Sequence, residues 1–196
     1  MRKRKIFSNL KNFFSAQKEI IFALLALIIL LSIFQISSNL SDFTLKRQEL
    51  SKDYYQQGLS ALNENDLQKA EEYFEKAHKN NPSHSGYLWQ LAITYSRNGK
   101  DQKAILCYDK LIEMLPNPSL VYLQKGEIYE KIGQEREALK LYQKAIAIDK
   151  NYPKSYLNLA NLLLKQGSKA EAKAILQEGL RFNPQSQELK NAFENY

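Results

Sequence analysis

Residues 85–118 read SGYLWQLAITYSRNGKDQKAILCYDKLIEMLPNP, and this stretch sets the reading of the chain. Leu88, Leu91, Ala92 and Tyr95 precede Gly99, Ala104 and Tyr108 follow it, and Pro116 ends the unit. Each landmark returns every 34 residues. Ala70, Ala104, Ala138 and Ala172 form one ladder, and Asn65, Gly99, Gly133 and Gly167 a second. Phe74, Tyr108, Tyr142 and Leu176 form a third, and Gly58, Ala92, Gly126 and Ala160 a fourth. Pro82, Pro116 and Pro184 keep the same period, with Lys150 in the missing place. The small residues let two helices approach closely, and the aromatic positions fill the space between units. Asn and Gly supply the positive φ of a reversal after the first helix. Proline stops the second helix, because it cannot continue a hydrogen-bonded turn.

This pattern resembles the tetratricopeptide repeat, in which Trp-x2-Leu-Gly-x2-Tyr, Ala-x3-Phe and Pro recur over 34 residues. The resemblance covers 51–186 as four repeats, 51–84, 85–118, 119–152 and 153–186. It implies an all-α fold, a right-handed α-α superhelical solenoid of helix pairs A and B. One pair cannot bury its apolar face alone, so stacking supplies the core and a cap is needed at the end. Residues 187–196 are read as that capping helix, with Leu189 and Phe193 facing back. Departures from the pattern are Gln57 and Lys125 in place of Leu, Ala61 in place of Tyr, and Lys150 in place of Pro. At the last of these, Pro153 is expected to take over the stop.

Ahead of the repeats lies a different composition. Residues 1–19 hold Arg2, Lys3, Arg4, Lys5, Lys11 and Lys18, with Glu19 as their one acid. From Ile20 to Ile36 the chain reads IIFALLALIILLSIFQI without a charge, and uncharged residues continue to Ser41. About 20 apolar residues at roughly 1.5 Å each span a hydrocarbon core. A core helix would show a polar stripe, and a signal peptide has a shorter apolar run with a small-x-small cleavage site. Residues 20–40 are therefore read as a single transmembrane helix behind a basic leader, and 41–50 as a short stalk. The first repeat helix is expected either to begin near Ser41 as its N-cap or to run on from the membrane helix without a break. Six bases precede the span against Lys46, Arg47 and Lys52 after it, so the amino terminus is expected in the cytoplasm and the repeats on the opposite side.

The formal charge of +7 is thereby explained by position. Residues 39–196 hold 22 bases and 20 acids, an ordinary balance that argues against nucleic acid as a partner. A single cysteine, Cys107, excludes an internal disulfide and a thiolate zinc site, and it is read as a small core residue. His78 and His84 flank a proline corner with no thiol nearby, so no metal is expected. No phosphate-binding Gly loop or Ser/His/Asp arrangement appears, so neither a cofactor nor a catalytic residue is assigned. Glu71, Glu72 and Glu75 are read as a solvated helix face.

In the family that the repeats resemble, the concave face is built from the A helices, chiefly repeat positions 2, 5, 6, 9, 12 and 13. Position 5 gives Tyr55, Trp89, Leu123 and Leu157, and position 9 gives Leu59, Ile93, Glu127 and Asn161. Position 6 gives Gln56, Gln90, Gln124 and Asn158, and position 13 gives Asn63, Arg97, Lys131 and Lys165. The resemblance thus implies a protein-binding groove of Tyr55, Leu59, Trp89, Ile93, Arg97, Gln124, Glu127, Lys131, Asn158, Asn161 and Lys165. It is apolar toward the first two repeats and suits an extended or helical segment with apolar anchors and some acidic side chains. Trp89 is the best single anchor. Tyr55 and Leu59 stand where the family's carboxylate clamp needs Lys and Asn, so that clamp is not expected. The layout of one anchor and several repeats resembles envelope-assembly, secretion-accessory and photosystem-assembly proteins. It implies a membrane-tethered scaffold or chaperone-like assembly adaptor, or else a non-catalytic regulatory or targeting subunit of a membrane enzyme.

Overall fold

The turn that follows each first helix carries the 34-residue signature most directly. Asn65 has φ 59°, and Gly99, Gly133 and Gly167 have φ 73°, 78° and 80°. In each case the next residue's N–H reaches back five residues: Asp66 to Ala61 (2.8 Å), Lys100 to Tyr95 (2.8 Å), Gln134 to Tyr129 (2.8 Å) and Ser168 to Leu163 (2.9 Å). This closure satisfies carbonyls that the helix end leaves open. Four such turns convert the period of the sequence into four antiparallel helix pairs.

The structure, a computed structural model, describes the backbone of residues 2–195 and the side chains of residues 17, 18, 22 and 24–195. Within it, α1 spans Arg2–Asn63, α2 Leu67–Asn80, α3 Ser85–Arg97, α4 Asp101–Met114 and α5 Ser119–Lys131. Then follow α6 (Glu135–Ile148), α7 (Pro153–Lys165), α8 (Lys169–Phe182) and α9 (Gln187–Glu194). The chain divides into two units, Met1–Glu49 and Leu50–Tyr196.

In the first unit the side chains of residues 24–46 are all exposed. The apolar part reaches a mean hydropathy of 2.0, and none of that window is buried. By length and composition this segment of α1 is long and apolar enough to cross a membrane. Its polar side chains bond along the helix: Ser32 Oγ donates to Ile28 O (2.8 Å) and Gln35 Nε2 to Asn39 Oδ1 (3.0 Å). The start expected at Ser41 does not occur, because Ser41 lies inside α1 and its carbonyl accepts from Thr44 Oγ1 (2.7 Å). The basic side chains expected in the leader at Arg2, Lys3, Arg4, Lys5 and Lys11 lie outside the described residues.

In the second unit each helix from α2 to α8 packs on the next, and α9 closes against α8 and α7. The close approaches fall where the small-residue ladder put them. A methyl added at Gly58 would stand 2.6 Å from Phe74 Cε1, and one at Gly126 2.6 Å from Tyr142 Cε1. Ala92 and Ala160 hold the same places in the other two pairs and are fully buried. Two apolar clusters result. One joins the first two pairs to Val121 and Ile128 of α5, and the other joins Leu123 of α5 to α6–α9. Tyr129 packs against both.

The corner without its proline is stopped differently from expectation. Pro153 is the first residue of α7, where a missing N–H costs nothing, so it starts a helix instead of ending one. The stop is made by Asp149, whose N–H reaches Ala145 O and whose Oδ1 accepts from the Asn151 N–H (2.9 Å). At the end, Ser186 caps α9 by accepting from the Leu189 N–H (3.3 Å), and Leu189 is fully buried.

Candidate functional site

The residues of the candidate groove belong to two groups, separated by what their side chains already hold. In the first group Tyr55, on α1, is half-buried, with its ring 5.6 Å from Phe74 and 5.0 Å from Tyr87. Trp89, on α3, is half-buried and meets Tyr108 edge-on at 6.3 Å. Leu59 and Ile93 are half-buried, and Leu59 packs on the first cluster. Tyr55, Leu59 and Trp89 are rooted in the core, and all four side chains keep part of their apolar surface in solvent. Arg97, at the end of the same α3 stripe, is exposed.

The second group is bonded internally. Gln124 Oε1 accepts from the Tyr108 hydroxyl (2.9 Å). Glu127 accepts from Asn158 Nδ2 (3.0 Å) and pairs with Lys154 (2.8 Å). Lys131 pairs with Asp101 (2.7 Å) and donates to Ser96 O (3.1 Å). Lys165 pairs with Glu135 (2.9 Å), which also accepts from Gln166 (3.0 Å). The hydrogen bond to Glu127 holds the Lys154 ammonium above its ordinary pKa, and the one to Glu135 does the same for Lys165. Asn161 is exposed. Leu123, expected on the groove by position, has no exposed surface and belongs to the core. The lysines therefore tie repeat to repeat as well as lining the face.

Glu71 departs from the solvated face expected of Glu71, Glu72 and Glu75. Glu71 is buried, and its carboxylate accepts from Asn98 Nδ2 (2.8 Å) and Lys100 Nζ (2.6 Å). Burial raises its pKa, but the hydrogen bonds from Lys100 and Asn98 and the Lys100 charge outweigh burial and hold the carboxyl below its ordinary range. Glu75 accepts from the Tyr95 hydroxyl. Glu72 and Glu75 are exposed, and Glu72 pairs with Lys76 at 2.6 Å. The signal for Glu71 was available in Asn98 and Lys100, which close the next repeat's turn beside it. The two polar replacements of Leu are likewise accommodated. Lys125 pairs with Asp109 under the Tyr129 ring, and Gln57 donates to Asp53 (2.8 Å).

No three His, Cys, Asp or Glu side chains converge to hold a metal among the described residues. Cys107 is buried, and burial pushes its thiol up to about 11. His84 stacks on Tyr87 at 3.9 Å, while His78 is half-buried with its Nδ1 unpartnered.

Models of the tetratricopeptide repeat match residues 51–84, 90–122 and 133–192. The chain carries tetratricopeptide repeats. Its similarity to "Photosystem I assembly protein Ycf3" of Synechococcus sp. (strain CC9605) is 42% identity over 67 residues, 33% of this chain and 39% of that protein. With the protein of the same name from Prochlorococcus marinus (strain NATL2A) it is 34% over 79 residues, 35% of this chain and 46% of that one. The chain thus spans less than half the length of the curated relatives it matches. The crystal structure of MamA protein superimposes with a TM-score of 0.62 at 21% identity, over 74% of this chain and 79% of that one. That likeness is one of fold. A tetratricopeptide-repeat solenoid suggests a protein-binding adaptor, and its candidate surface is the set of first-helix side chains just described.

Proposed function

We propose that this protein is a membrane-tethered assembly adaptor that holds a segment of a partner protein in the concave face of its repeats. The observation that carries the reading is the apolar strip of Tyr55, Leu59, Trp89 and Ile93, partly open to solvent, with the first three packed on the core. Half-buried aromatics anchored in this way lose little entropy on binding and exclude water well. The relatives named as photosystem I assembly proteins support an assembly role, over the third of the chain that they match.

The tether is residues 20–40 of α1. Support comes from the length and hydropathy of the segment, the exposure of its side chains from 24 to 40, and the internal bonding of Ser32 and Gln35. Polar groups satisfied along the helix reduce the cost of hydrocarbon. With six bases before the span, the repeats stand on the side away from the cytoplasm. Residues 41–50 serve as a short stalk.

Photo-crosslinking from position 89 in intact cells tests the groove. A discrete protein adduct that disappears with Tyr55→Ala is expected; no adduct, together with a Trp89→Ala strain that behaves like wild type, would remove the reading. Orientation is tested by labelling Cys107 after mild unfolding in sealed vesicles. Labelling from the cytoplasmic face would reverse the assignment.

A further inference from the structure

Three cations occupy equivalent places at the ends of α3, α5 and α7: Arg97, Lys131 and Lys165. Two are neutralised by one device. Lys131 pairs with Asp101, the first residue of α4, and Lys165 with Glu135, the first residue of α6. In the same register the residue equivalent to Asp101 and Glu135 is the first of α2, Leu67, which carries no charge. The next acid along α2, Glu71, is already held by Asn98 and Lys100. Among the described residues Arg97 makes no ion pair or hydrogen bond, and it is exposed.

Its position gives that free charge a meaning. Trp89, Ile93 and Arg97 are four residues apart on one stripe of α3, about 6 Å per step. The stripe presents an aromatic, an aliphatic and an unneutralised guanidinium in order. In α5 and α7 the corresponding charged side chains, Glu127, Lys131 and Lys165, are committed to partners within the fold. Resting on the groove reading above, we propose that Arg97 is the specificity-determining residue of the groove. It takes an Asp or Glu carboxylate of a protein segment whose apolar side chains lie on Trp89 and Ile93. A guanidinium suits this task, because its fork of N–H donors matches a carboxylate with two parallel hydrogen bonds. Lys131, bound to the carbonyl of Ser96 next door, has its own charge met by Asp101 and leaves Arg97 as the unpaired cation there.

The test uses the full chain in nanodiscs and a displayed random peptide library, with the fluorescence of the sole tryptophan reporting occupancy. Selected peptides are expected to carry an acid beside apolar residues and to perturb Trp89. Arg97→Gln is expected to weaken them about tenfold, whereas Arg136→Gln, an exposed cation on α6, leaves them unchanged. Replacing the peptide's acid by its amide should remove the difference between wild type and Arg97→Gln. Peptides that perturb Trp89 but bind Arg97→Gln equally well would overturn the role of Arg97 and leave the groove standing. Recovery only of peptides that leave Trp89 unperturbed, or of none, would remove the groove reading and this inference with it.

Discussion

A methyl group added at Gly58 would stand 2.6 Å from Phe74, whereas one added at Gly133 would meet nothing within 4 Å. The two glycines are therefore retained for different physical reasons. Gly58→Ala overpacks a buried ring, a cost of about 1–3 kcal/mol offset by roughly 1 kcal/mol of helix propensity. Gly133→Ala has room but must hold φ near 78°, which costs about 1–2 kcal/mol. Both should lower the urea midpoint, and an unchanged midpoint for Gly133→Ala would contradict the conformational account. These roles were legible in the sequence because a turn makes its demand locally, on one residue. The role of Glu71 was not, because its partners arrive 27 and 29 residues downstream. Its carboxyl is held below the ordinary value of 4.5, so its stabilisation is present above that pH and is lost as the pH falls through it. Burial, with the charge of Lys110, lowers the pKa of His78, so a second loss begins as the pH drops below about 6.5. Thermal melts of His78→Leu should show a flatter dependence between pH 7 and 5. Those of Glu71→Gln should show a flatter dependence below pH 5, with about 1–3 kcal/mol lost at neutral pH.

At the scale of elements, the helix pairs follow from their ends. The reversal residues and prolines marked where three of the four second helices stop, and the structure agrees at Pro82, Pro116 and Pro184. Where proline was missing, an aspartate turn did the work, and a short polar side chain bonding its own backbone leaves only a weak mark in a sequence. Ser41 failed as a helix start for a related reason. Capping residues are signals only where the helix pattern on one side is absent, and here it is present on both. The closing helix α9 rests on a single fully buried side chain, Leu189. Leu189→Ala should cost about 2–4 kcal/mol, and Ser186→Ala about 1 kcal/mol, through the lost cap. Hydrogen exchange would register both first in α8 and α9. A uniform loss of protection through α2–α4 would show that the cap supports the solenoid globally.

At the scale of the repeat domain, stability is a sum over neighbouring pairs, and the two apolar clusters share Tyr129. Trp89 reports on the first cluster, and far-ultraviolet circular dichroism on all helices. The two urea transitions should coincide in the wild type and separate in Tyr129→Ala; coincidence in the variant would mean that the clusters are coupled elsewhere. The fold and its four-pair organisation were readable from period alone. The division of the groove was not, because equivalent positions carry similar residues whether or not a neighbour holds them. Lys131 and Lys165 resemble Arg97 in the sequence and differ in having an acid opposite. That division bears on how such a protein changes over time. In α5 and α7 a substitution that altered recognition would also break a link between repeats, so new preferences there would be selected against as folding defects. On α3, Trp89 packs against Tyr108, but the exposed Arg97 side chain holds no other part of the fold in place. Recognition there is free to drift, or to be redesigned, at little expense to the scaffold.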